Sequence, residues 1–344
     1  MSVLEKPAAA AVHDQFARPL RDLRLSVLDR CNLRCTYCMP AESFEGRGIF
    51  LPPGRLLSDA ELEQLVRVFT SLGVHKLRIT GGEPLLRPGL PELVRSLAAI
   101  DGIDDLAMTT NAMLLPGLAL PLKRAGLGRI TVSLDSLDNS VFREMSGGRG
   151  SVQEVLDGIT AAEVAGFGKL KINTVVQKSI NDHTVLDLVD HFRGSGHTVR
   201  LIEFMDVGNL NHWSREQVVP SATLLKTIHD RWDLKPVSNP LPGETARRYE
   251  FLDGQGEVGF ISSITEPFCG DCSRARLTAD GVFYSCLFSS SGTDLRGLVR
   301  SGISEGQLEE LVTALWSGRD DRYSELRGKE SPGNDKVEMF RMGG

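Results

Sequence analysis

The sequence predicts an α/β fold: a partial six-stranded (β/α) barrel followed by a smaller C-terminal α+β domain. Strand and helix patterns alternate over residues 23–204, and the strands themselves alternate polar with apolar side chains. The composition then changes near residue 209, with a proline-rich stretch at 236–242. We therefore expect a barrel domain at residues 1–208 and a second domain at 209–344.

The predicted elements follow one another regularly along the chain. The strands are expected at residues 23–27, 76–80, 106–110, 129–134, 169–176 and 198–204. The helices are expected at residues 57–72, 90–99, 119–125, 152–165 and 185–192, then at 224–232 after the barrel. A hairpin is expected at 249–261. Such alternation predicts parallel strands with right-handed crossovers, in a barrel or in an open doubly wound sheet.

The alternation within the strands favours the barrel. Strands covered on both faces read as nearly continuous apolar runs, whereas these strands must present one face to the helices and line a polar lumen with the other. An antiparallel sheet with a solvent face would alternate too, but the intervening helices disfavour it. Five cations share the polar face: Arg24, Lys76, Arg78, Lys171 and Arg200. Because the chain has a net charge of −6, this concentration indicates a polyanion site.

The cysteines fall into two groups of three, one at each end of the chain. They are Cys31, Cys35, Cys38, Cys269, Cys272 and Cys286. Three thiolates so close in sequence can hold one inorganic centre from one side, which points to iron–sulfur or zinc. Structural zinc usually needs a fourth Cys or His, and no His lies near the first group. For the second group, a zinc ribbon lacking its fourth ligand stays an alternative.

Several further candidate ligand-binding residues lie at the ends of predicted strands or beside the second cysteine group. The carboxyl ends of barrel strands carry the chemistry of such folds. The second predicted strand ends in Gly81-Gly82-Glu83-Pro84, where the glycines admit a ligand and Glu83 can accept from an ammonium group. Thr109 ends the third strand, and Arg274 and Arg276 follow Cys272 in phase. These arginines predict an anion site beside the second cysteine group.

Composition excludes other classes of protein. The mixed charges argue against general nucleic-acid binding, and no apolar run approaches the ~20 residues of a membrane span. The N-terminal residues lack the apolar core of a signal peptide. We therefore expect a cytoplasmic protein, whose cysteines are metal ligands or free thiols rather than disulfides.

The C-x3-C-x2-C spacing, with Tyr37 before the third cysteine, resembles the signature of the radical S-adenosylmethionine (SAM) enzymes. The wider pattern resembles the GTP 3′,8-cyclase family of that superfamily. The matching segments are residues 18–24, 29–31, 78–84, 202–208, 269–276 and the final Gly343-Gly344. One departure is Ala112, where the family pattern has glycine.

The resemblance implies two [4Fe–4S] clusters, each held by one cysteine group. The open iron of the first would bind SAM, and that of the second would face the guanine of GTP. Contacts with SAM are implied for Tyr37, Gly82, Glu83, Ser133 and Met205. Contacts with GTP are implied for Arg24, Arg78, Thr109, Lys171, Arg274 and Arg276, to which the polar face adds Lys76 and Arg200. The catalytic set would be Cys31, Cys35, Cys38, Arg274 and Arg276.

The implied reaction is the first step of molybdenum cofactor biosynthesis, catalysed by a lyase. A 5′-deoxyadenosyl radical from SAM would remove hydrogen from C3′ of GTP, and the carbon radical would add to C8. Reduction and protonation would give 3′,8-cyclo-7,8-dihydroguanosine triphosphate. An external one-electron donor would be needed, and the product would pass to a cyclic pyranopterin monophosphate synthase. The resemblance also implies that the terminal glycines insert towards the active site, and it leaves the oligomeric state, including a homodimer, open.

Two alternatives remain at this stage. One is a peptide-modifying radical SAM maturase, although such enzymes usually carry more C-terminal cysteines and need no basic lumen. The other is a non-catalytic metal-binding sensor or scaffold, which would hold a metal without cleaving SAM.

Overall fold

The computed structural model of the protein describes residues 11–44, 50–238, 243–327 and 336–343. Its twelve described strands are β1 (Asp22–Ser26), β2 (Lys76–Thr80), β3 (Asp105–Thr110), β4 (Arg129–Ser133), β5 (Lys171–Val176), β6 (Thr198–Glu203), β7 (Leu234–Pro236), β8 (Arg247–Phe251), β9 (Glu257–Ile261), β10 (Arg274–Leu277), β11 (Val282–Tyr284) and β12 (Thr293–Asp294). The described helices are α1 (Asp59–Ser71), α2 (Leu90–Ala98), α3 (Leu115–Arg124), α4 (Asn139–Met145), α5 (Val152–Val164), α6 (Val185–Phe192), α7 (Ser221–His229), α8 (Leu295–Arg300), α9 (Glu305–Ser317), α10 (Tyr323–Leu326) and α11 (Met339–Met342).

All of these strands belong to one sheet, in the order β12-β11-β10-β1-β2-β3-β4-β5-β6-β9-β8-β7. Strands β1 to β6 are parallel neighbours in chain order. Strand β10 adds in parallel beside β1, and β9 adds in parallel beside β6. Antiparallel pairs then complete both edges. The predicted α/β fold with a partial barrel is confirmed, and the C-terminal region contributes antiparallel strands to the same sheet. A domain boundary after residue 208 stays a prediction.

The alternation seen in the sequence gives the barrel strands one apolar face and one polar face. In β1, Leu23 and Leu25 are fully buried and pack with the helices into one continuous core. Helix α1 is an example of a helix that packs on this face. Ser58 and Glu61 form a capping box at its start, and its apolar side faces the core. The residues between the apolar strand positions face the other side of the sheet. Burial of the outer face therefore aims the polar residues into the lumen.

Most predicted elements lie within two residues of the observed ones, with instructive exceptions. Helix α3 begins at Leu115, four residues before its predicted start, because the Pro-Gly pair inside its first turn resembles a loop signal. Helix α7 begins three residues early at Ser221, and α4 was not predicted. Of the described helices, none is long and apolar enough to cross a membrane.

Helix α5 packs closely on the turn that precedes α3. A Cβ atom on Gly158 would overlap the carbonyl oxygen of Ala112, a backbone atom that cannot easily move. Ala112 itself has φ of +67°, a left-handed conformation that glycine adopts more easily. The departure from the family pattern noted above thus falls on a strained backbone position.

We predict that Gly158→Ala lowers the free energy of unfolding by about 1–3 kcal/mol, because the added methyl group overpacks this contact. Gly117→Ala in α3 is the matched control, since nothing lies within 4 Å of its Cβ position. The control should be neutral or stabilising by up to about 1 kcal/mol. Urea unfolding of both variants checks this, and equal midpoints would contradict the close packing.

Candidate active site

The lumen encloses a cavity of about 470 Å³. This volume falls within the usual range for small-molecule sites. Its wall combines strand residues of the barrel with residues of the C-terminal region. The predicted residues that line it are Arg24, Lys76, Arg78, Thr109, Lys171, Arg200, Met205, Cys269, Cys272, Arg274, Arg276 and Cys286. The structure thus brings the second cysteine group together with the residues that were predicted to bind a triphosphate.

Strand register aligns the cations across the sheet. Arg24 on β1 is the direct neighbour of Arg78 on β2 and of Arg276 on β10. Like charges directly opposite each other on neighbouring strands destabilise a sheet. Asp22, two residues before Arg24, lies between Arg274 and Lys76 and offsets part of the charge. The remaining positive charge is fixed in place by the sheet.

Burial and mutual repulsion lower the pKa values of these cations. Burial, followed by the charges of Arg78, Arg274 and Arg200, lowers the pKa of Arg24 to about 9. Burial and the neighbouring arginines likewise lower the pKa of Arg78 to about 10 and that of Lys171 to about 8. Each buried cation would be stabilised by an anionic ligand, which restores the charged form.

Neutral groups hold two of the guanidinium groups in position. Arg78 Nη1 donates to the hydroxyls of Thr109 at 3.3 Å and Thr131 at 3.0 Å. Arg200 donates to Asn173 Oδ1 from Nε and from Nη2, at 2.9 and 2.7 Å. Gly259 on the neighbouring strand leaves room for the Arg200 side chain, since a Cβ there would meet Arg200 Cγ at 3.2 Å. These partners orient the cations without neutralising them.

Two of the carboxylates that line the lumen already have partners. Asp105 pairs with Arg129, and Asp22 accepts a 2.5 Å hydrogen bond from the Ser273 hydroxyl. Among residues 11–44, 50–238, 243–327 and 336–343, no ion pair joins Arg24 or Lys76 to a carboxylate. The cavity is therefore suited to a multiply charged anion.

The first cysteine group occupies the loop after β1 and does not line the cavity. The amides of Cys38 and Met39 donate to the Cys35 carbonyl at 2.9 and 2.7 Å, which turns the loop back on itself. Burial and the charge of Glu83 raise the pKa of Cys31 to about 11. Burial, Asp135 and the neighbouring thiols raise that of Cys35 further. These thiols ionise readily only beside a cationic centre, so the donor set fits an iron–sulfur cluster.

The second cysteine group lines the cavity directly. Arg274 Nη2 donates to Cys272 Sγ at 3.3 Å. Burial opposes ionisation of Cys272, but the charges of Arg274 and Arg319 outweigh it and lower its pKa to about 6. Burial and Asp321 raise the pKa of Cys286 to about 11. One thiolate is thus favoured before any metal binds, and these three sulfur donors also fit a cluster.

A single metal ion has no ready-made site in the described residues, because no three His, Cys, Asp or Glu side chains converge on one point. Structural zinc requires such convergence at bond lengths of about 2.3 Å. A cluster of four irons spreads its cysteine ligands over separate metal atoms. A cluster rather than zinc at the second cysteine group stays a prediction.

Glu83 organises the strand ends beside the first cysteine group. Its Oε1 accepts from the Leu85 amide at 3.0 Å and the Thr110 hydroxyl at 2.7 Å, and its Oε2 accepts from the Asn111 amide at 2.8 Å. Burial raises the pKa of Glu83 to about 7 against the effect of these hydrogen bonds. A contact between Glu83 and SAM stays a prediction.

The other predicted SAM residues lie in different parts of the barrel. The Tyr37 hydroxyl donates to Asp135 at 2.7 Å, and Gly82 lies so close to Arg30 that a Cβ would overlap its carbonyl group. Ser133 ends β4. Met205, after β6, lines the cavity. Their roles towards SAM also stay predictions.

The C-terminal segment, residues 336–343, is anchored at the barrel mouth. Lys336 Nζ donates to Asp206 Oδ2 at 2.8 Å, in the loop after β6. Phe340 is buried and packs edge-on against Phe44, with ring centroids 5.2 Å apart. The segment thus joins the β6 loop to the chain that follows the first cysteine group.

The end of this segment contacts strands of the barrel, and insertion of the terminal glycines towards the active site stays a prediction. Arg276 donates to the Met342 carbonyl at 3.0 Å and also to that of Gly343. A Cβ on Gly343 would overlap the Thr80 hydroxyl, so only glycine fits there. Gly344 lies outside the described residues.

Sequence reasoning missed several residues of the cavity wall. They include Asp22, Asn173, Phe268, Arg319, Asp321 and Met339. Asn173 could have been found, since it shares the polar face of β5 with Lys171 two residues earlier. Arg319 and Asp321 follow α9, which was not predicted, and no motif marks them.

Comparison with known proteins identifies the class. Residues 25–192 match the Radical SAM superfamily, and residues 197–325 match Molybdenum Cofactor Synthesis C. The structure resembles that of Streptococcus suis SuiB bound to precursor peptide SuiA, with a TM-score of 0.61 at 14% identity over 92% of this chain and 68% of that one. It also resembles native anSMEcpe with bound AdoMet, with a TM-score of 0.57 at 14% identity over 93% of both chains. These likenesses show the fold, and the chain belongs to the radical SAM superfamily.

Sequence relatives then identify the family. A GTP 3′,8-cyclase of Xanthomonas campestris pv. campestris (strain B100) is 55% identical over 337 residues, covering 98% of both chains. A GTP 3′,8-cyclase of Acidothermus cellulolyticus is 45% identical over 358 residues, covering 97% of this chain and 99% of the relative. The chain therefore belongs to the GTP 3′,8-cyclase family. As a radical SAM protein, it uses S-adenosylmethionine and iron–sulfur chemistry.

We predict that the cavity binds tripolyphosphate less tightly as the pH rises from 7 to 9.5. Lys171, with a pKa of about 8, is a cation below that pH and neutral above it. Loss of one charged hydrogen-bond donor, worth about 1.5–3 kcal/mol, should weaken binding roughly tenfold or more. Calorimetry measures the affinity.

Lys171→Arg controls for ionisation of the ligand and of other groups, because arginine retains its charge at these pH values more readily. The ratio of wild-type to variant affinity should fall as the pH rises. A constant ratio would exclude Lys171 from the anion site.

Proposed function

We propose that this protein converts GTP to (8S)-3′,8-cyclo-7,8-dihydroguanosine 5′-triphosphate, the first step of molybdenum cofactor biosynthesis. The observation that carries the proposal is the combined wall of the cavity. A row of aligned arginines lies next to three cysteines in one enclosed space. Its close relatives bear the name of this activity.

The lumen cations suit the triphosphate. Arg24, Arg78 and Lys171 all line the cavity. Arg78 is held by Thr109 and Thr131, so little of its side-chain freedom is lost when it binds charged oxygens. Arg274 and Arg276 extend this surface from β10 towards the second cysteine group. GTP would thus lie along the sheet, with its phosphates on the cations and its base near Cys269, Cys272 and Cys286. Thr109, Lys76 and Arg200 complete the proposed contacts.

We assign one [4Fe–4S] cluster to each cysteine group. Cys31, Cys35 and Cys38 would hold the first, with SAM near Tyr37, Gly82, Glu83, Ser133 and Met205. Cys269, Cys272 and Cys286 would hold the second, facing the guanine. When bound there and reduced by an external one-electron donor, the first cluster would supply the electron for cleavage of SAM to methionine and a 5′-deoxyadenosyl radical.

The substrate chemistry follows from holding C3′ and C8 of GTP in register. A hydrogen atom leaves C3′ for the 5′-deoxyadenosyl radical, and the C3′ radical forms a bond to C8. One electron from the external donor and one proton would then complete the dihydroguanine ring. The protein orients both reactants and excludes water from the lumen. Arg276 contributes by holding the C-terminal segment through Met342 and Gly343, and this segment would close the site.

We also propose a cellular setting for the reaction. The product would pass to a cyclic pyranopterin monophosphate synthase, and the protein would act in the cytoplasm. Its oligomeric state stays open and includes a homodimer. A peptide-modifying activity finds less support, because the aligned cations of the lumen have no role in binding a neutral peptide. A non-catalytic scaffold would need neither the cations nor the enclosed cavity.

We predict that the two cysteine groups separate into two functions. Anaerobically reconstituted wild-type protein should bind roughly eight irons per chain, four per cluster. Cys35→Ala should lose SAM cleavage under dithionite. Cys272→Ala should still cleave SAM but fail to cyclise GTP. Iron analysis and mass spectrometry of the 5′-deoxyadenosine and the nucleotide measure these outcomes.

The two variants control for each other, since each removes one thiol from one group and leaves the other group intact. Full cyclisation by Cys272→Ala would contradict the second cluster. Wild-type protein that cleaves SAM but leaves GTP unchanged would contradict the proposed function.

A further inference from the structure

A network of buried charges lies behind the second cysteine group. The side chain of Asp14 is fully buried, and its Oδ2 accepts from Arg18 Nε at 2.6 Å and from Arg319 Nη1 at 3.2 Å. Arg18 and Arg319 are themselves only 2% and 4% exposed. One carboxylate near the N-terminus thus joins two guanidinium groups whose residues are 301 positions apart in the sequence.

The network reaches each of the three cysteine-bearing segments. Arg18 Nη1 donates to the Cys269 carbonyl at 2.8 Å, and Arg319 Nη1 donates to the Cys272 carbonyl at 2.7 Å. The third connection runs through Asp321, which accepts a 2.5 Å hydrogen bond from the Ser285 hydroxyl, one residue before Cys286. Arg18 also donates to the Asp321 carbonyl at 2.8 Å. The backbone positions of the three thiols therefore depend on a single connected set of side chains.

Stability alone is a weak reason for such a network. Buried ion pairs often stabilise a fold no better than apolar residues of similar volume. Here, in the part of the chain that the structure describes, Arg18 Nη2 is buried without a hydrogen-bond partner, which is costly. Arg319 Nε is also buried, and it forms a 3.5 Å ion pair with Asp321 Oδ2 without a hydrogen bond. Arg319 and Asp321 also line the cavity beside the cysteines. The network therefore places charge where the second cluster would be bound.

We propose that Asp14, Arg18, Arg319 and Asp321 are positioning residues for the second cluster, and that Arg319 also stabilises its reduced state. This inference rests on the proposed function, which assigns a cluster to Cys269, Cys272 and Cys286. The hydrogen bonds to the ligand backbone fix the spacing of the sulfur atoms. The guanidinium charge of Arg319, facing the same cavity, favours the more negative form of a nearby cluster.

The test uses a full-length parent in which Cys31, Cys35 and Cys38 are replaced by alanine, so that only the second cluster can form. Arg319→Gln, Arg319→Lys and Asp14→Asn are added to this parent. The matched control is Arg296→Gln. Arg296 is also buried and donates to a backbone carbonyl, that of Arg55 at 2.7 Å, but it does not line the cavity.

The measurements are iron and sulfide per chain, the electron paramagnetic resonance spectrum of the reduced protein, its reduction potential and its melting temperature. Arg319→Gln should lose at least half of its iron or keep it with a lower reduction potential. Arg319→Lys, which retains the charge, should restore the potential towards that of the parent. Asp14→Asn should lower iron retention, because both arginines lose their shared anchor. Arg296→Gln should keep the iron, the spectrum and the potential of the parent at a reduced melting temperature.

Two outcomes would overturn the inference, and they are distinguishable. If the parent binds no four-iron cluster, the proposed second cluster itself fails, and the inference fails with it. If the parent binds the cluster and the Arg319 and Asp14 variants match it in iron, spectrum and potential, the network has only a structural role. Arg319→Lys keeps this test valid if Arg319→Gln does not fold.

Discussion

Positive charge is concentrated inside the lumen, where it opposes folding and favours an anionic ligand. Arg276, Arg24 and Arg78 are direct neighbours across three strands, and Lys171 and Arg200 face the same cavity. Their repulsion and burial oppose folding. The apolar core on the other face of the sheet must supply the stability that the lumen lacks. A triphosphate offsets the same repulsion, so the features that destabilise the empty lumen favour its ligand.

The C-terminal region completes this site by joining the sheet at both edges. Strand β10 brings Arg274 and Arg276 into register with β1 and carries the second cysteine group to the cavity. Strand β9 lies beside β6 and provides the space at Gly259 that the Arg200 side chain occupies. The barrel and the C-terminal region therefore form one cavity together, and neither holds all of its wall.

Local patterns in the sequence predicted the barrel well, because period-two alternation and helix caps are short-range signals. The six barrel strands, the five lumen cations and both cysteine groups follow from such signals. The pairing of β10 with β1 could not be predicted, since it joins residues far apart in sequence through backbone hydrogen bonds that no side-chain pattern records. For the same reason Arg319 escaped notice: its partners, Asp14 and the Cys272 carbonyl, are defined only by the fold.

We propose that the lumen recognises the triphosphate through its cations. The most direct measurement compares the affinities of guanosine, GMP, GDP and GTP for the anaerobically reconstituted protein by calorimetry. We expect the affinity to rise with each added phosphate, by roughly tenfold per step if each gains one charged hydrogen bond. Equal affinities for guanosine and GTP would contradict it, because binding would then depend on the base and ribose alone.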